Sequence, residues 1–318
     1  MNRRQFFSVS FCAIGSATIS RSFAAVLPHV DFPADPRERI AVASYPFRKL
    51  LDPRKGKLTL LEFPRMIVDR YGVSGIEPLD EHFASTDVDY LTKFRNALGQ
   101  AKAHIVNIPA GLGGSLYDPD KAKRTKAINR AMHWIDVATF LGSPSVRPHL
   151  QGTKRVKTNV RVAAESLRIL GEYGARKNVV VHLENDSPTT EDAFLLTDVI
   201  GKANTPWVRA LPDFGNSMAA QKGAGYNYRA VTEMFRNAYG ICHVKDSLQD
   251  GKSLFHVDPS QMFQIAKDAN YSGYFSMEYD STGDPYESTQ HLIDSTLKAL
   301  APYPGQTAFR TSSDNLLS

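Results

Sequence analysis

Short apolar blocks, each closed by polar residues, alternate along this chain with longer stretches in which apolar side chains return every third or fourth position. The first pattern predicts buried strands and the second amphipathic helices. Strands are expected at residues 40–45, 74–77, 103–108, 145–149, 178–186, 207–213, 239–246 and 274–279. Helices are expected at residues 62–71, 88–98, 121–141, 160–173, 191–200, 228–238, 259–269 and 286–300. Pro64 fits the first turn of its helix, and Gly142 reads as the stop of another. Strands alternating with helices through short connections specify an α/β fold, a single (β/α)8 TIM barrel. It is expected over residues 39–303, after a Pro-containing linker at 25–38 and before a polar, frayed tail at 304–318.

In such barrels the chemistry gathers at the C-terminal ends of the strands. Four of the expected strands end on Glu184, Asp213, His243 and Glu278, at successive separations of 29, 30 and 35 residues. Each separation is the length of a strand, a crossover helix and two loops, so the four residues fall at neighbouring strand ends. Three carboxylates at close range repel one another and call for a positive charge among them. Oxygen ligands with one imidazole suit a divalent metal ion, Mn(II) first, with Mg(II), Co(II) or Zn(II) as alternatives. The absence of thiolates argues against structural zinc.

Other polar residues share these strand ends. Lys245 lies on the same side of its strand as His243 and either meets a substrate oxygen or pairs with a nearby acid. Arg147 and His149 top the fourth strand, where arginine binds substrate oxygens or neutralises the carboxylates. Glu77, Asn107 and Asn216 are further candidates for substrate contact, and Tyr45 and Phe47 for stacking on a sugar face. His182 faces the interior one layer lower and reads as a core histidine, and Cys242 faces the helices as an inert thiol. The loop Gly111-Leu112-Gly113-Gly114 lacks a phosphate-cradle spacing and reads as a flexible loop over the barrel mouth.

The N-terminus has a separate character. Arg3-Arg4 precedes a short apolar stretch and Ser22-Phe23-Ala24, the pattern of a twin-arginine export signal over residues 1–24. A periplasmic or secreted location and passage through the twin-arginine export machinery follow as expectations. Cleavage after Ala24 removes Arg3, Arg4 and Arg21 and no acid, so the formal charge of +5 falls to +2. That balance gives no electrostatic case for nucleic acid or anionic membrane. Cys12 leaves with the signal, Cys242 then stands alone, and Phe11 is too large to precede a lipidated cysteine. No later stretch resembles a membrane anchor.

With these residues placed, the sequence resembles the xylose isomerase-like barrels, in particular the sugar phosphate isomerases and epimerases. The resemblance rests on Gly75-Ile76-Glu77, Leu183-Glu184-Asn185, Asp213-Phe214-Gly215, His243-Val244-Lys245-Asp246 and the run from Gly273 to Tyr279. It implies that Glu184, Asp213, His243 and Glu278 hold one divalent metal, and that Glu184 and Glu278 move protons on opposite faces of a carbohydrate substrate through an enediolate. The implied activity is isomerisation or epimerisation of a keto-sugar or polyol ketone. Export favours a non-phosphorylated one, since phosphorylated metabolites are cytoplasmic. A lyase acting on a keto-sugar, inosose or 3-keto-glycoside is the alternative from the same metal site; an inactive sugar-binding barrel and a relative of the apurinic endonucleases are more remote. Two departures from the family pattern, Asn216 where histidine is common and the loop from Leu254 to Asp258 with His256, touch substrate contacts rather than the metal.

Overall fold

The computed structural model describes residues 27–150 and 157–301. The export-signal reading of residues 1–24 and the frayed-tail reading of residues 304–318 lie outside the described residues. Along the chain, the barrel strands are β1 (Ile40–Ala43), β2 (Gly75–Glu77), β3 (His104–Ile105), β4 (Ile108–Ala110), β5 (Ser145–Pro148), β6 (Val180–Glu184), β7 (Val208–Leu211) and β8 (Ile241–Val244). An antiparallel hairpin follows, β9 (Ser247–Asp250) and β10 (Ser253–His256), before the last barrel strand β11 (Tyr274–Met277).

All barrel pairings are parallel. One sheet runs β3-β2-β1-β11-β8 and the other β4-β5-β6-β7. Two seams close them into a ring. At the first, the expected strand 103–108 is divided: β3 pairs with β2, Val106 still donates to the Ile76 carbonyl, and β4 pairs with β5. At the second, parallel bridges join Ala210 to Ala238 and Asp213 to His243. The second seam therefore sets two members of the quartet side by side.

The helices are α1 (Arg48–Leu51), α2 (Phe63–Tyr71), α3 (Val88–Ala101), α4 (Lys121–Leu141), α5 (Val160–Ala175), α6 (Ala193–Ala203), α7 (Ala224–Phe235), α8 (Pro259–Asp268) and α9 (Pro285–Leu300). Their starts are fixed locally: Asp87, Asp120, Asp192, Asp258 and Asp284 each accept hydrogen bonds from amides of the first turn. Gly142 ends α4 at φ +78°, as a left-handed stop requires. None of the described helices is long and apolar enough to cross a membrane.

Strand alternation sorts the interior. Ile40, Val42, Ile76, Val146, Cys242, Val244, Phe275 and Met277 face the helices and form the main core with them. Ala41, Val106, Leu211, Ile241 and Tyr274 point inward at the N-terminal end, and Phe32 packs beneath them. Tyr239 donates to the Pro28 carbonyl, so the segment expected as a linker lies across the barrel's lower end. Further up the same inward faces the residues turn polar, and there the site begins.

Candidate metal and substrate site

Glu184, Asp213, His243 and Glu278 converge at the C-terminal end of the barrel, with one ligand atom of each within 4.8 Å of the others. All four are buried. His243 is the hub: its Nδ1 lies 2.9 Å from Glu184 Oε1, 3.3 Å from Glu278 Oε2 and 3.9 Å from Asp213 Oδ2. Its Nε2 faces away, 3.0 Å from both carboxylate oxygens of Glu77. Glu77 is wholly buried and in turn accepts from Asn107 Nδ2 at 2.8 Å and Ser276 Oγ at 2.6 Å. Ser145 donates to Asn107 Oδ1 at 2.7 Å, which fixes the amide.

Glu77 and Asn107, expected to touch substrate, thus stand behind the imidazole and do not line the cavity. An acceptor at Nε2 keeps a proton there and aims Nδ1 at the carboxylates; once Nδ1 gives up its own proton, its lone pair has the usual arrangement of a metal-binding histidine with a carboxylate behind it.

Two cations complete the cluster. Lys245 Nζ lies 2.9 Å from Glu278 Oε2 and 3.0 Å from Asp213 Oδ2, and donates to Asn216 Oδ1 at 3.0 Å. Its stem is 1% exposed, and a Cβ at Gly215 would stand 3.0 Å from its Cδ, so glycine gives the lysine its room. Arg147 Nη2 lies 2.9 Å from Glu184 Oε2, and its Nη1 lies 2.5 Å from His149 Nε2. Because guanidinium only donates, His149 accepts through Nε2 and carries its proton on Nδ1, which donates to Glu191 Oε2 at 3.1 Å. Of the two readings open for each cation, both pair with acids here, and both also reach the cavity. Asn216 donates to Glu184 Oε1 at 3.1 Å and opens a short 3-10 helix whose first amide, Asn216 N–H, donates to Asp213 Oδ1 at 2.6 Å.

The electrostatics follow from this packing. Burial by itself opposes protonation of His243, but Glu278, Glu77 and Glu184 outweigh it and hold its pKa well above the ordinary value. Burial would likewise raise Glu278, yet His243 and Lys245 bring it below the usual carboxylate range. Asp213 is pushed up to about 7 by burial, with Lys245 opposing and Glu184 and Glu278 adding to the rise.

These residues fit a divalent cation. Glu184 Oε2 and Asp213 Oδ2 are buried with a cation near each but no aligned hydrogen bond, so lone pairs remain. Among the described residues, Glu77, Glu184, Asp213 and Glu278 face only Arg147 and Lys245 as permanent cations, and a divalent ion with neutral His243 would balance them.

Above this floor opens a cavity of about 390 Å³, walled by Tyr45, Arg147, His149, Asn216, Lys245 and Glu278, with Asp80, Asp186 and Asp280 around them. Of the quartet only Glu278 lines it. Phe47, expected at the mouth, is instead fully buried against Phe63 and Tyr286 in the helix layer. The Gly111 turn borders the cavity, while Leu116 and Tyr117 beyond it are packed into the core. His182 lies in the lower layer and Cys242 on the helix side, both buried. Asp186 and Asp280 escaped the sequence reading. Each stands two residues beyond a quartet glutamate, as Lys245 does beyond His243, and that period was the signal for them.

The family model described as "Xylose isomerase-like TIM barrel" matches residues 67–300. No curated protein matches the chain. Among solved structures, a xylose isomerase-like TIM barrel protein from Mycobacterium smegmatis in complex with magnesium is 18% identical, with a TM-score of 0.62 over 87% of this chain and 100% of that one. The 3-keto-D-glucoside 4-epimerase from E. coli is also 18% identical, with a TM-score of 0.60 over 82% and 98%. A D-psicose 3-epimerase with D-tagatose from Clostridium cellulolyticum H10 is 12% identical, with a TM-score of 0.61 over 82% and 96%. At these identities the likeness speaks for the fold.

Proposed function

The chain belongs to the xylose isomerase-like TIM barrels, and from that premise we propose that it is a metal-dependent isomerase or epimerase of a non-phosphorylated keto-sugar or related polyol ketone. The observation that carries this is the convergence of Glu184, Asp213, His243 and Glu278 beneath a polar cavity, with His243 turned toward the carboxylates by Glu77. The names of the similar structures, two of them sugar epimerases and one a magnesium complex, support the reading. Glu184, Asp213, His243 and Glu278 would hold the ion, with Mn(II) preferred for an oxygen-rich set with one imidazole and Mg(II), Co(II) or Zn(II) as alternatives.

A divalent ion there would supply Lewis acidity toward a carbonyl and its neighbouring hydroxyl. Glu278, ionised and at the cavity surface, is placed to take a proton from the adjacent carbon. The family resemblance gives Glu184 the opposite face; it lies in the floor beneath the cavity, held by Arg147 and Asn216. Lys245 and Arg147 line the cavity as cations facing sugar oxygens, His149 lines it with both ring nitrogens engaged by Arg147 and Glu191, and Asn216 hydrogen-bonds without exchanging a proton. Among the described residues, Asp80, Glu81, Asp186, Glu278 and Asp280 on the walls outnumber Arg147 and Lys245, which disfavours a phosphorylated substrate. A lyase remains the second reading on one observation: Asp186, on the wall beyond Glu184, is an acid placed to protonate a departing group. Arg3 and Arg4 support a periplasmic or secreted location reached through the twin-arginine machinery.

Elemental analysis of purified wild type beside His243→Ala and Glu278→Gln tests the centre. Wild type should carry about one divalent ion per chain, and His243→Ala should lose it. Metal-loaded wild type turning over a ketose in deuterated water should place deuterium on the carbon beside the ketone, and Glu278→Gln should slow that exchange roughly 10²–10⁴-fold. A wild type that holds no ion after loading would end the proposal.

A further inference from the structure

The cavity above the quartet is not the end of the cleft. A second cavity of about 350 Å³ adjoins it, and the two share Asp186, Asn216 and Asp280 as a common wall. The far side of the second cavity is the β9–β10 hairpin, through Leu248, Gln249 and Asp250. Its near side is the turn after β6, Ser187 to Thr189, with Ala219 of the 3-10 helix.

The hairpin is a built wall. Its two strands are paired from Ser247 with His256 to Asp250 with Ser253. Gln249 N–H donates to the Asp280 carbonyl at 2.9 Å, and Val257 N–H to the Asp246 carbonyl at 2.9 Å. Leu248 bridges to Asp280 and is 6% exposed. Asp280 is itself held by Arg48 at 3.2 Å, so one residue ties the first strand's loop, the last strand's end and the hairpin together where the two cavities meet.

The lining identifies the class of ligand. Hydroxyls of Ser187 and Thr189 and the amides of Asn216 and Gln249 offer donors and acceptors, while Pro188, Ala219 and Leu248 give a small apolar surface. Three carboxylates and no lysine or arginine line this space among the described residues. An anionic group is therefore repelled, and a large apolar group would leave the polar lining unpaired. Either cavity alone is at the small end of the ~300–1,000 Å³ typical of ligand pockets, and the two together have room for a molecule with two ring-sized parts.

We propose that the second cavity is a subsite for a neutral polyhydroxylated group joined to the keto-sugar over the quartet, so that the ligand is a glycoside or disaccharide. This rests on the keto-sugar reading above. The test uses the Mn(II)-loaded chain and calorimetric titration with methyl 3-keto-β-D-glucoside and 3-keto-cellobiose. Gln249→Trp on the hairpin and Thr189→Trp on the opposite turn fill the subsite from different elements, and retained metal content shows that each has folded.

Wild type should bind the disaccharide at least about tenfold more tightly than the methyl glycoside. Both tryptophan variants should bring the two ligands within about twofold of each other, with the methyl glycoside unchanged. Equal binding by wild type, or a disaccharide advantage that survives both substitutions, would overturn the subsite while leaving the keto-sugar reading standing. Failure of the metal-loaded wild type to bind the methyl glycoside and the disaccharide alike would overturn the keto-sugar reading itself, and the subsite with it.

Discussion

Glu77 shows what a single residue does without touching the reacting atoms. It accepts from His243 Nε2, Asn107 and Ser276 at once, so its carboxylate is fixed before any ion arrives. Replacing Glu77 by leucine leaves the imidazole free to turn or to take the other tautomer, and metal affinity should weaken ~10–100-fold with the quartet intact. Glu77→Gln, which still offers an acceptor, should fall between; competition with a chelator measures both. A variant with wild-type affinity would mean that the other ligands orient His243 unaided. The quartet itself was legible because each member closes an apolar run. The role of Glu77 was not, since strand period gives the face of a side chain but not which imidazole reaches it across the barrel. Asp186 and Asp280 were within reach of the same period and were missed by stopping at the first carboxylate.

Among elements, the strands and helices around the ring were readable because their patterns are long and their stops are strong, as with Gly142 after α4. The divided third strand was not. Its residues form one apolar run, and only the change of neighbour from β2 to β5 splits it. The hairpin had a local signal, Asp250-Gly251 between alternating residues, but its strands are too polar to stand out.

The packing of β6 against the turn before β8 carries a prediction. A Cβ at Gly240 would lie 2.8 Å from His182 Cε1, so the backbone passes close to the ring. His182 Nε2 accepts weakly from Gly240 N–H at 3.4 Å, and Nδ1 has no partner among the described residues. Burial, then the charges of Arg209 and His243, lower the His182 pKa from 6.5 to about 3. The unfolded chain therefore takes up this proton first as pH falls. The stability that neutral His182 gives is complete above about 6.5 and declines by about 1.4 kcal/mol per pH unit toward 3. In denaturant melts, His182→Leu should gain on wild type by about 2 kcal/mol between pH 6.5 and 5. An unchanged difference would mean that the ring is hydrated or protonated in the folded chain.

For the whole molecule the question is where folding and metal loading happen. The quartet is drawn from β6, the ends of β7 and β11, and β8, so no ligand set exists until the barrel has closed at the β7–β8 seam. The proposed metal binding would therefore be coupled to folding. A chain threaded unfolded through a membrane would assemble its site outside, where tighter-binding Zn(II) or Cu(II) compete under the Irving–Williams order. On the proposed reading, a route that carries folded protein would let Mn(II) be enclosed first, which would give the paired arginines a physical purpose. The proposed signal at residues 1–24 joins a segment whose Phe32 and Pro28 are already seated on the barrel's lower end, opposite the site. Removing it should leave the centre undisturbed. Exported wild type should begin at Ala25 by mass, and a chain with Arg3→Lys and Arg4→Lys should stay in the cytoplasm, folded and metal-loaded. If that double variant is exported and processed as wild type is, the folded route is wrong, and the exported protein's metal content would then have to be explained by selection outside the cell.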